Sequence, residues 1–234
     1  MGEIELQRKY YSDTSNVYDS MHIRASEHVL ACYLLAGFLK MQHPHATILD
    51  VGAGTGRLSQ FVKEHNLPFS VMGIEPSVAQ RNVAYAKGIR RDLLIDGDAT
   101  KLQFPQDHFD FCTEFGALHH IREYRKAVRE MCRVASKGVF LSDSNNFGQG
   151  LFSTRIIKRS LRILGLWKFA VLIKTRGKGY NVSDGDGVFY SFTLFDCLDI
   201  LREKFPNIYI WSTQPIQSNS VFFGAGHFAV LAHK

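Results

Sequence analysis

The residues with the clearest chemistry in this chain are an acid and three glycines that follow an apolar segment. Residues 48–56 read Ile-Leu-Asp-Val-Gly-Ala-Gly-Thr-Gly, and a helical pattern of apolar residues comes next. Glycine lets the backbone adopt positive φ and approach a ligand closely. In an open α/β sheet, a nucleoside-bearing ligand binds at the carboxyl end of the first strand. The spacing therefore predicts a ligand-binding turn between a strand and a helix.

The positions of the glycines restrict the ligand. A dinucleotide-binding turn has the pattern Gly-x-Gly-x-x-Gly, but here Gly52, Gly54 and Gly56 alternate, and Arg57 stands where the third glycine should be. A phosphate-binding P-loop needs Gly-Lys-Ser/Thr, which this turn lacks. Because the turn carries Asp50 and no lysine, it favours a cationic ligand without phosphates.

Together, the strand, the acid and the glycines resemble motif I of the class I S-adenosylmethionine-dependent methyltransferases. Further matches follow in the order of that family: segment 69–74 ending at Glu75, segment 93–99, and segment 109–121, whose Leu-His-His is similar to the type-11 branch. The resemblance covers residues 45–145 and implies S-adenosyl-L-methionine as the cofactor. It also implies an α/β fold, with a Rossmann-like, doubly wound, seven-stranded mixed sheet and a cap insert after strand 5.

The resemblance also implies roles for the matching residues. Glu75 is expected to accept hydrogen bonds from the ribose hydroxyls, Asp98 to contact the adenine amino group, and the Ala99 backbone to contact the ring edge. Any one of these acids alone also fits a helix cap or a turn, whereas their series at successive strand ends favours a cofactor site. The predicted cofactor residues are Tyr18, Asp50, Gly52, Ala53, Gly54, Glu75, Pro76, Asp98, Ala99, Glu114 and Phe115.

Three residues are candidates for proton transfer. His119 and His120 follow the fourth strand, and Asp143 ends the fifth. An acceptor hydroxyl has to lose its proton, and histidine is the side chain that most often removes it. The two histidines also fit a second role, in which they cap the next helix or pack behind the methionine group. Because adjacent side chains diverge on a helix or a strand, we predict no metal site here.

Apolar periodicity predicts the elements that position these residues. Strands that alternate with helices predict a parallel sheet with helices on both faces. Helices are predicted within residues 10–43 and over residues 58–65, 77–87, 123–134, 151–164 and 193–205. A glycine-rich loop is predicted over residues 177–187, and residues 208–213 and 221–232 are predicted to form a final antiparallel pair.

The composition fits one α/β domain. The 234 residues are 45% hydrophobic and contain no apolar run of 18, so we expect neither a transmembrane helix nor a signal peptide. Four cysteines without a Cys-x-x-Cys pair are typical of reduced thiols in a cytoplasmic protein. We expect a single methyltransferase domain over residues 1–234, with an N-terminal helical lid over residues 1–45 and a substrate cap over residues 145–192.

Positive charge is concentrated in that cap. The net charge is +6, and residues 151–183 contain eight Lys or Arg residues and no acid. This charge fits an anionic small-molecule acceptor, contact with an anionic membrane surface, or a solvated face that binds nothing. No base pocket of the Asn-Pro-Pro-Tyr type is present, so nucleic acid is not expected as a partner. The patterns leave the oligomeric state open.

The predicted function is methyl transfer from S-adenosyl-L-methionine to a small-molecule acceptor. Related enzymes build the acceptor pocket in the insert after the fifth strand, which here is basic and aromatic. Oxygen is the expected acceptor atom, on an anionic, sugar or secondary-metabolite substrate. The alternatives are N- or C-methylation of a lipid-like, membrane-associated acceptor, and a non-catalytic adaptor that binds the cofactor.

Overall fold

The computed structural model describes residues 2–22 and 26–234. The helices are α1 (Glu3–His22), α2 (Ser26–Gln42), α3 (Arg57–Glu64), α4 (Val78–Ala86), α5 (Tyr124–Val134), α6 (Phe152–Ile163), α7 (Trp167–Lys174), α8 (Leu198–Lys204) and α9 (Val221–Gly224). The strands are β1 (Thr47–Val51), β2 (Ser70–Ile74), β3 (Leu94–Ile95), β4 (Phe109–Phe115), β5 (Ala135–Ser144), β6 (Tyr180–Ser183), β7 (Gly187–Tyr190), β8 (Asn207–Ser212) and β9 (His227–His233). Helices α3, α4, α5 and α6 begin and end within one residue of their predicted positions, whereas α8 begins five residues later than predicted.

Seven of these strands form one mixed sheet in the order β3-β2-β1-β4-β5-β9-β8. Strands β1 to β5 are parallel, and β9 pairs antiparallel with both β5 and β8. The chain adds strands on one side of β1 and then on the other, so the order reverses between β1 and β4. Such a switch point opens a crevice at the carboxyl ends of the strands. The predicted doubly wound, seven-stranded mixed sheet is confirmed.

The central strands are buried because helices cover both faces of the sheet. Along β1, Leu49 and Val51 belong to the cluster under α5 and α8, whereas Ile48 belongs to the cluster under α2 and α3. Alternating side chains of a strand point to opposite faces, and a parallel sheet covered on both faces therefore has continuous apolar strands. This packing fixes the positions of the strand ends, where the polar residues of the crevice lie.

Two predictions of secondary structure are wrong. Residues 177–187, expected as a loop, contain most of the hairpin of β6 and β7, in which Val182 pairs with Val188. The two strands contain aromatic and β-branched residues, which favour strands, and Gly185 lies in the turn between them. Residues 221–232, expected as one strand, contain the short α9 before β9. There the Asn145 side chain donates hydrogen bonds to the carbonyls of Phe222 and Ala225, which holds the turn between the two elements.

Gly148, in the segment after β5, packs closely against the backbone of this turn. A Cβ atom at Gly148 would lie 1.8 Å from the carbonyl oxygen of Ala225, and backbone cannot move aside as a side chain can. We expect Gly148→Ala to lower the free energy of unfolding by about 1–3 kcal/mol, the usual cost of overpacking. Thermal unfolding measures this, with Gly185→Ala as the control because a Cβ there would meet nothing within 4 Å. Equal melting temperatures for the two variants would contradict the prediction.

Helix α1 lies across the crevice and is held there by polar contacts. Arg122 pairs with Glu3 at one end of the helix, and at the other end Asp19 accepts a hydrogen bond of 2.5 Å from Thr55 and pairs with Lys87. None of the α1 side chains that the structure describes is fully buried. Among residues 2–22 and 26–234, no helix combines the length and the apolar composition needed to cross a bilayer.

Candidate active site

The glycine turn after β1 has the close packing that its sequence predicts. Gly52 has φ +71°, and a Cβ atom there would lie 2.5 Å from the Cβ of Ala117. The backbone amides of Gly52 and Ala53 both donate to the carbonyl of Ile74, at 2.9 and 3.0 Å, which fixes the turn against β2. A Cβ at Gly54 would instead enter open space. The turn is therefore tightly held beneath and open above, where a ligand can lie on the backbone.

Two buried carboxyl groups stand beside this turn. Asp50 accepts a hydrogen bond of 2.9 Å from Thr113 Oγ1. The two oxygens of Glu75 accept from the backbone amides of Gly54, at 3.0 Å, and Ser77, at 2.7 Å. Burial raises the pKa of Asp50 to about 6 and that of Glu75 to about 7. Both groups thus change their charge near neutral pH, and each oxygen keeps a lone pair for a ligand hydroxyl.

A cavity of about 500 Å³ opens above the strand ends. One side is formed by the strand-end residues and the other by α1 and β7. The residues that line it from the second side, together with the segment after the histidines, are Glu3, Gln7, Arg8, Tyr11, Ile121, Arg122, Glu123, Val188 and Tyr190. The cavity is therefore shared between the region predicted to hold a cofactor and a separate wall.

A polar cluster lies beside the cavity. Nδ1 of His119 lies 2.6 Å from Oδ1 of the fully buried Asp143, and the His119 backbone amide donates to Oδ2 of the same carboxylate at 3.1 Å. On the other side of the ring, Nε2 lies 3.2 Å from a carboxylate oxygen of Asp186, in the turn between β6 and β7. Burial lowers the pKa of His119, but the carboxylates of Asp143 and Asp186 outweigh it and raise this pKa well above its usual value.

The neighbouring His120 faces the same carboxylate. Its Nε2 lies 3.4 Å from Asp186 and its Nδ1 lies 2.6 Å from the Val188 carbonyl. The rings of His119 and His120 are 4.0 Å apart, because the pair lies on a tight 3₁₀ turn rather than on a helix or strand. The premise that the two side chains diverge is wrong. With Asp186 they form a group that could hold a metal ion, and the absence of a metal remains a prediction.

Most of the predicted site residues meet at the cavity. Those that line it are Asp50, Gly52, Ala53, Gly54, Glu75, Pro76, Asp98, Ala99, Phe115 and His120. Glu114, His119 and Asp143 do not line it. Because side chains alternate along a strand, Phe115 faces the cavity and Glu114 faces the other side. There Glu114 accepts hydrogen bonds from the backbone amides of Ala117 and Leu118. Tyr18 belongs to α1, but its side chain lies outside the described part of the chain.

Sequence reasoning missed the residues of the opposite wall. Gln7 lies 3.5 Å from His120 Nδ1 and accepts a hydrogen bond from the Val188 amide at 2.5 Å, and Asp186 joins both histidines. These residues lie more than 60 positions from the histidines and belong to no motif. The sequence signal that points to this wall is the glycine-rich, acidic segment around Asp186, whose composition predicts only a loop.

Comparison with known proteins decides the family. Residues 49–142 match the type-11 family model described as a methyltransferase domain. These residues carry a domain of the class I S-adenosylmethionine-dependent methyltransferase type. The predicted family and its cofactor are thereby confirmed. The matched residues include the glycine turn, β4 and most of β5, and so the whole strand-end side of the cavity.

Curated relatives match this chain over its central part. It is 30% identical over 140 residues to the uncharacterized methyltransferase YcgJ of Bacillus subtilis, which covers 56% of this chain and 52% of that protein. It is 36% identical over 96 residues to the demethylmenaquinone methyltransferase of Renibacterium salmoninarum, covering 41% of this chain and 39% of that protein. The chain therefore spans about half of these relatives' length or less.

Solved structures match the fold along nearly the whole chain. A Thermotoga maritima methyltransferase described as a possible histamine N-methyltransferase gives a TM-score of 0.59 at 16% identity, covering 97% of this chain and 99% of that chain. The phosphoethanolamine N-methyltransferase 2 of Haemonchus contortus, solved with phosphomonomethylethanolamine and S-adenosylhomocysteine, gives 0.63 at 13% identity, covering 97% and 59%. At these identities the likeness concerns the fold.

The residues around the glycine turn fit S-adenosyl-L-methionine. Gly54 leaves open the space that a side chain would fill, and the acids Asp50, Glu75 and Asp98 all line the cavity. Carboxylates suit a ligand with ribose hydroxyls and a positive charge, whereas the turn offers no lysine for a pyrophosphate. The carboxylates of the cavity therefore agree with a nucleoside that carries a sulfonium group.

Proposed function

We propose that the protein transfers a methyl group from S-adenosyl-L-methionine to an oxygen atom of a small-molecule acceptor. The observation that carries this proposal is that one cavity is bounded by the strand-end acids on one side and by α1 and β7 on the other. Two ligands can then lie side by side and out of water, and such positioning alone can lower the barrier by about 7–11 kcal/mol. When bound, the cofactor supplies an electrophilic methyl group on its sulfonium.

The proposed cofactor residues are those at the strand ends. Glu75 accepts hydrogen bonds from the ribose hydroxyls, Asp98 and Ala99 bind the adenine, and Asp50 lies under the glycine turn. Arg57 lines the cavity and donates to the Phe115 carbonyl at 3.2 Å. We assign the first 45 residues the role of a lid, since α1 supplies four residues of the opposite wall, Glu3, Gln7, Arg8 and Tyr11.

The proposed base is His119. The buried Asp143 accepts from its Nδ1, which leaves Nε2 as the nitrogen that takes a proton from the acceptor. Asp186, whose side chain is 45% exposed, lies against Nε2 and has to give way to the acceptor hydroxyl. His119 would take the hydroxyl proton on Nε2 as the acceptor oxygen bonds to the methyl carbon. The bond between that carbon and the cofactor sulfur would break, and its electron pair would stay on the sulfur, which becomes a thioether. Asp143 stabilises the resulting imidazolium.

The acceptor class follows from the charges at the opposite wall. Arg8 lines the cavity and is exposed, and it has no hydrogen-bond or ion-pair partner among the described residues. Arg122 also lines it, with its guanidinium paired to Glu3. A guanidinium binds carboxylate and phosphate groups in a bidentate way, so Arg8 supports an anionic acceptor. A lipid-like acceptor is the second candidate, because apolar residues are exposed on the helices next to this wall.

The test is transfer of a labelled methyl group from S-adenosyl-L-methionine to fractionated metabolites of the native cell. We expect label in a small, anionic product whose new bond is an ether or ester, as mass spectrometry would identify. Label on nitrogen or carbon would refute oxygen as the acceptor atom. If calorimetry detected tight cofactor binding but no fraction received label, the alternative of a non-catalytic adaptor that binds the cofactor would be favoured.

Cofactor binding should depend on pH through Glu75. Since burial raises the pKa of Glu75 to about 7, its acceptor form is the minority at pH 6 and the majority at pH 8. We expect the affinity for S-adenosyl-L-methionine to rise about tenfold between these values, measured by calorimetry. In Glu75→Gln this rise should vanish. If the affinity of the Glu75→Gln variant still rose with pH, with a midpoint near pH 6, the effect would be assigned to Asp50.

We place the protein in the cytoplasm as part of this proposal. Cys32, Cys112, Cys132 and Cys197 are all free and buried. Reduced thiols are typical of that compartment. Burial raises the pKa of each of these thiols, so they are not reactive thiolates.

A further inference from the structure

Helices α6 and α7 expose an unusual number of apolar side chains. Phe152, Ile157, Ile163, Leu164, Phe169 and Ile173 are between 58% and 73% exposed, and we call this set the α6–α7 face. No residue of either helix is fully buried. Single exposed apolar residues are normal on a protein surface, but a contiguous set of this kind marks a binding surface.

The orientation of α6 is the reverse of that of an ordinary surface helix, which buries its apolar stripe. Its basic residues face the body of the protein: Lys158 donates to the carbonyls of Asn146 and Gln149, at 2.6 and 3.1 Å, and Arg162 pairs with Asp196 at 2.6 Å. Arg162 also stacks over Phe147, 4.7 Å from its ring centroid. These contacts hold the helix in place and leave its apolar residues pointing outward.

Unpaired positive charge surrounds the apolar residues. Lys168, Lys174, Arg176 and Lys178 are exposed, and within the described residues none has an ion-pair or hydrogen-bond partner for its side chain. Residues 151–183 contain no acid that could neutralise them. A second copy of this chain on the α6–α7 face would bring these cations towards one another, whereas an anionic surface would neutralise them.

We propose that the α6–α7 face docks on an anionic lipid bilayer. An interfacial helix lies in the headgroup region with its apolar side chains inserted and its basic residues at the anionic headgroups. The segment that follows α7 lies next to the cavity wall: Arg122, which lines the cavity, donates to the Lys178 carbonyl at 3.2 Å. Docking therefore places the acceptor side of the cavity beside the membrane. This inference does not depend on the methylation reaction.

Vesicle co-sedimentation of the whole protein tests the proposal. We expect the protein to pellet with vesicles of phosphatidylcholine and phosphatidylglycerol at about 50 mM salt, to pellet less at about 500 mM, and not to pellet with phosphatidylcholine alone, because salt screens headgroup attraction. Failure to pellet with the anionic vesicles at low salt would overturn the proposal. This comparison uses only the parent protein.

Variants then locate the contact. The triple variant Ile157→Ser, Phe169→Ser, Ile173→Ser should bind anionic vesicles at least about tenfold more weakly. The Lys168→Glu, Lys174→Glu variant should lose about fivefold per charge removed. The control is Met41→Ser with Leu93→Ser, two exposed apolar residues outside the α6–α7 face, 81% and 40% exposed, with melting temperatures compared throughout.

Two results with the variants would overturn the assignment. If the triple variant and the control bound vesicles as tightly as the parent, the contact would lie elsewhere. If the triple variant kept its vesicle binding but turned a dimer into a monomer in light scattering, the α6–α7 face would be a contact between copies.

Discussion

Replacing His119 with glutamine is expected to lower kcat about 10²–10⁴-fold, the usual contribution of a positioned base. Glutamine can still donate a hydrogen bond to the buried Asp143, so the carboxylate is not left without a partner, but it cannot take a proton from the acceptor. Affinity for S-adenosyl-L-methionine should stay that of the parent, because His119 is not one of the strand-end residues that are proposed to bind the cofactor. Labelled-methyl transfer in the fraction that contains the acceptor measures kcat, and calorimetry measures the affinity for S-adenosyl-L-methionine.

The pH profile separates a base from a structural role. Because Asp143 and Asp186 raise the pKa of His119 despite its burial, the form that accepts a proton increases as the pH rises above neutrality. The parent rate should therefore rise with pH, and the residual rate of His119→Gln should not. His108→Gln, at an exposed position away from the cavity, is the control. A variant that kept the parent rate and profile would exclude His119 as the base.

Glu75→Gln is expected to weaken binding of S-adenosyl-L-methionine about 100-fold. The parent carboxylate, once ionised, accepts from both ribose hydroxyls, and hydrogen bonds to a charged group are worth about 1.5–3 kcal/mol each, so losing two costs about 3 kcal/mol. The amide also presents an NH₂ group to the amides of Gly54 and Ser77, which now donate to the carboxylate. Calorimetry at pH 8 measures the loss.

Glu64→Gln is the matched control, since Glu64 is an exposed acid at the end of α3 that does not line the cavity. It makes the same chemical change, and we expect unaltered affinity. Equal affinities for Glu75→Gln and Glu64→Gln would remove Glu75 from the cofactor site. A lower melting temperature of Glu75→Gln without cofactor would indicate that part of the effect comes from the turn.

The strand-end side of the cavity was predictable because it is encoded locally. The apolar residues of β1, Asp50 and the glycines are adjacent in the sequence, and parallel strands bring Glu75 and Asp98 to the same edge of the sheet. Ten of the residues named from the sequence, including these, line the cavity. Their assignment to the cofactor stays a prediction.

The opposite wall was not predictable because it depends on contacts between distant segments. Gln7 lies near His120, and Asp186 lies between two histidines 66 and 67 positions earlier. No spacing rule connects such positions. The orientation of α6 is a related case: its periodicity predicts an amphipathic helix, but only the contacts of Lys158 and Arg162 reveal that the basic side faces inward.

The polar contacts that hold α1 across the crevice affect how ligands enter and leave the cavity. Its ends are held by Glu3 and Asp19, through groups that water can solvate again once they separate. No described residue of this helix belongs to either of the two apolar clusters that hold the sheet between its layers. We therefore expect that α1 can move away from the crevice, so that ligands enter and leave, without disruption of the apolar core.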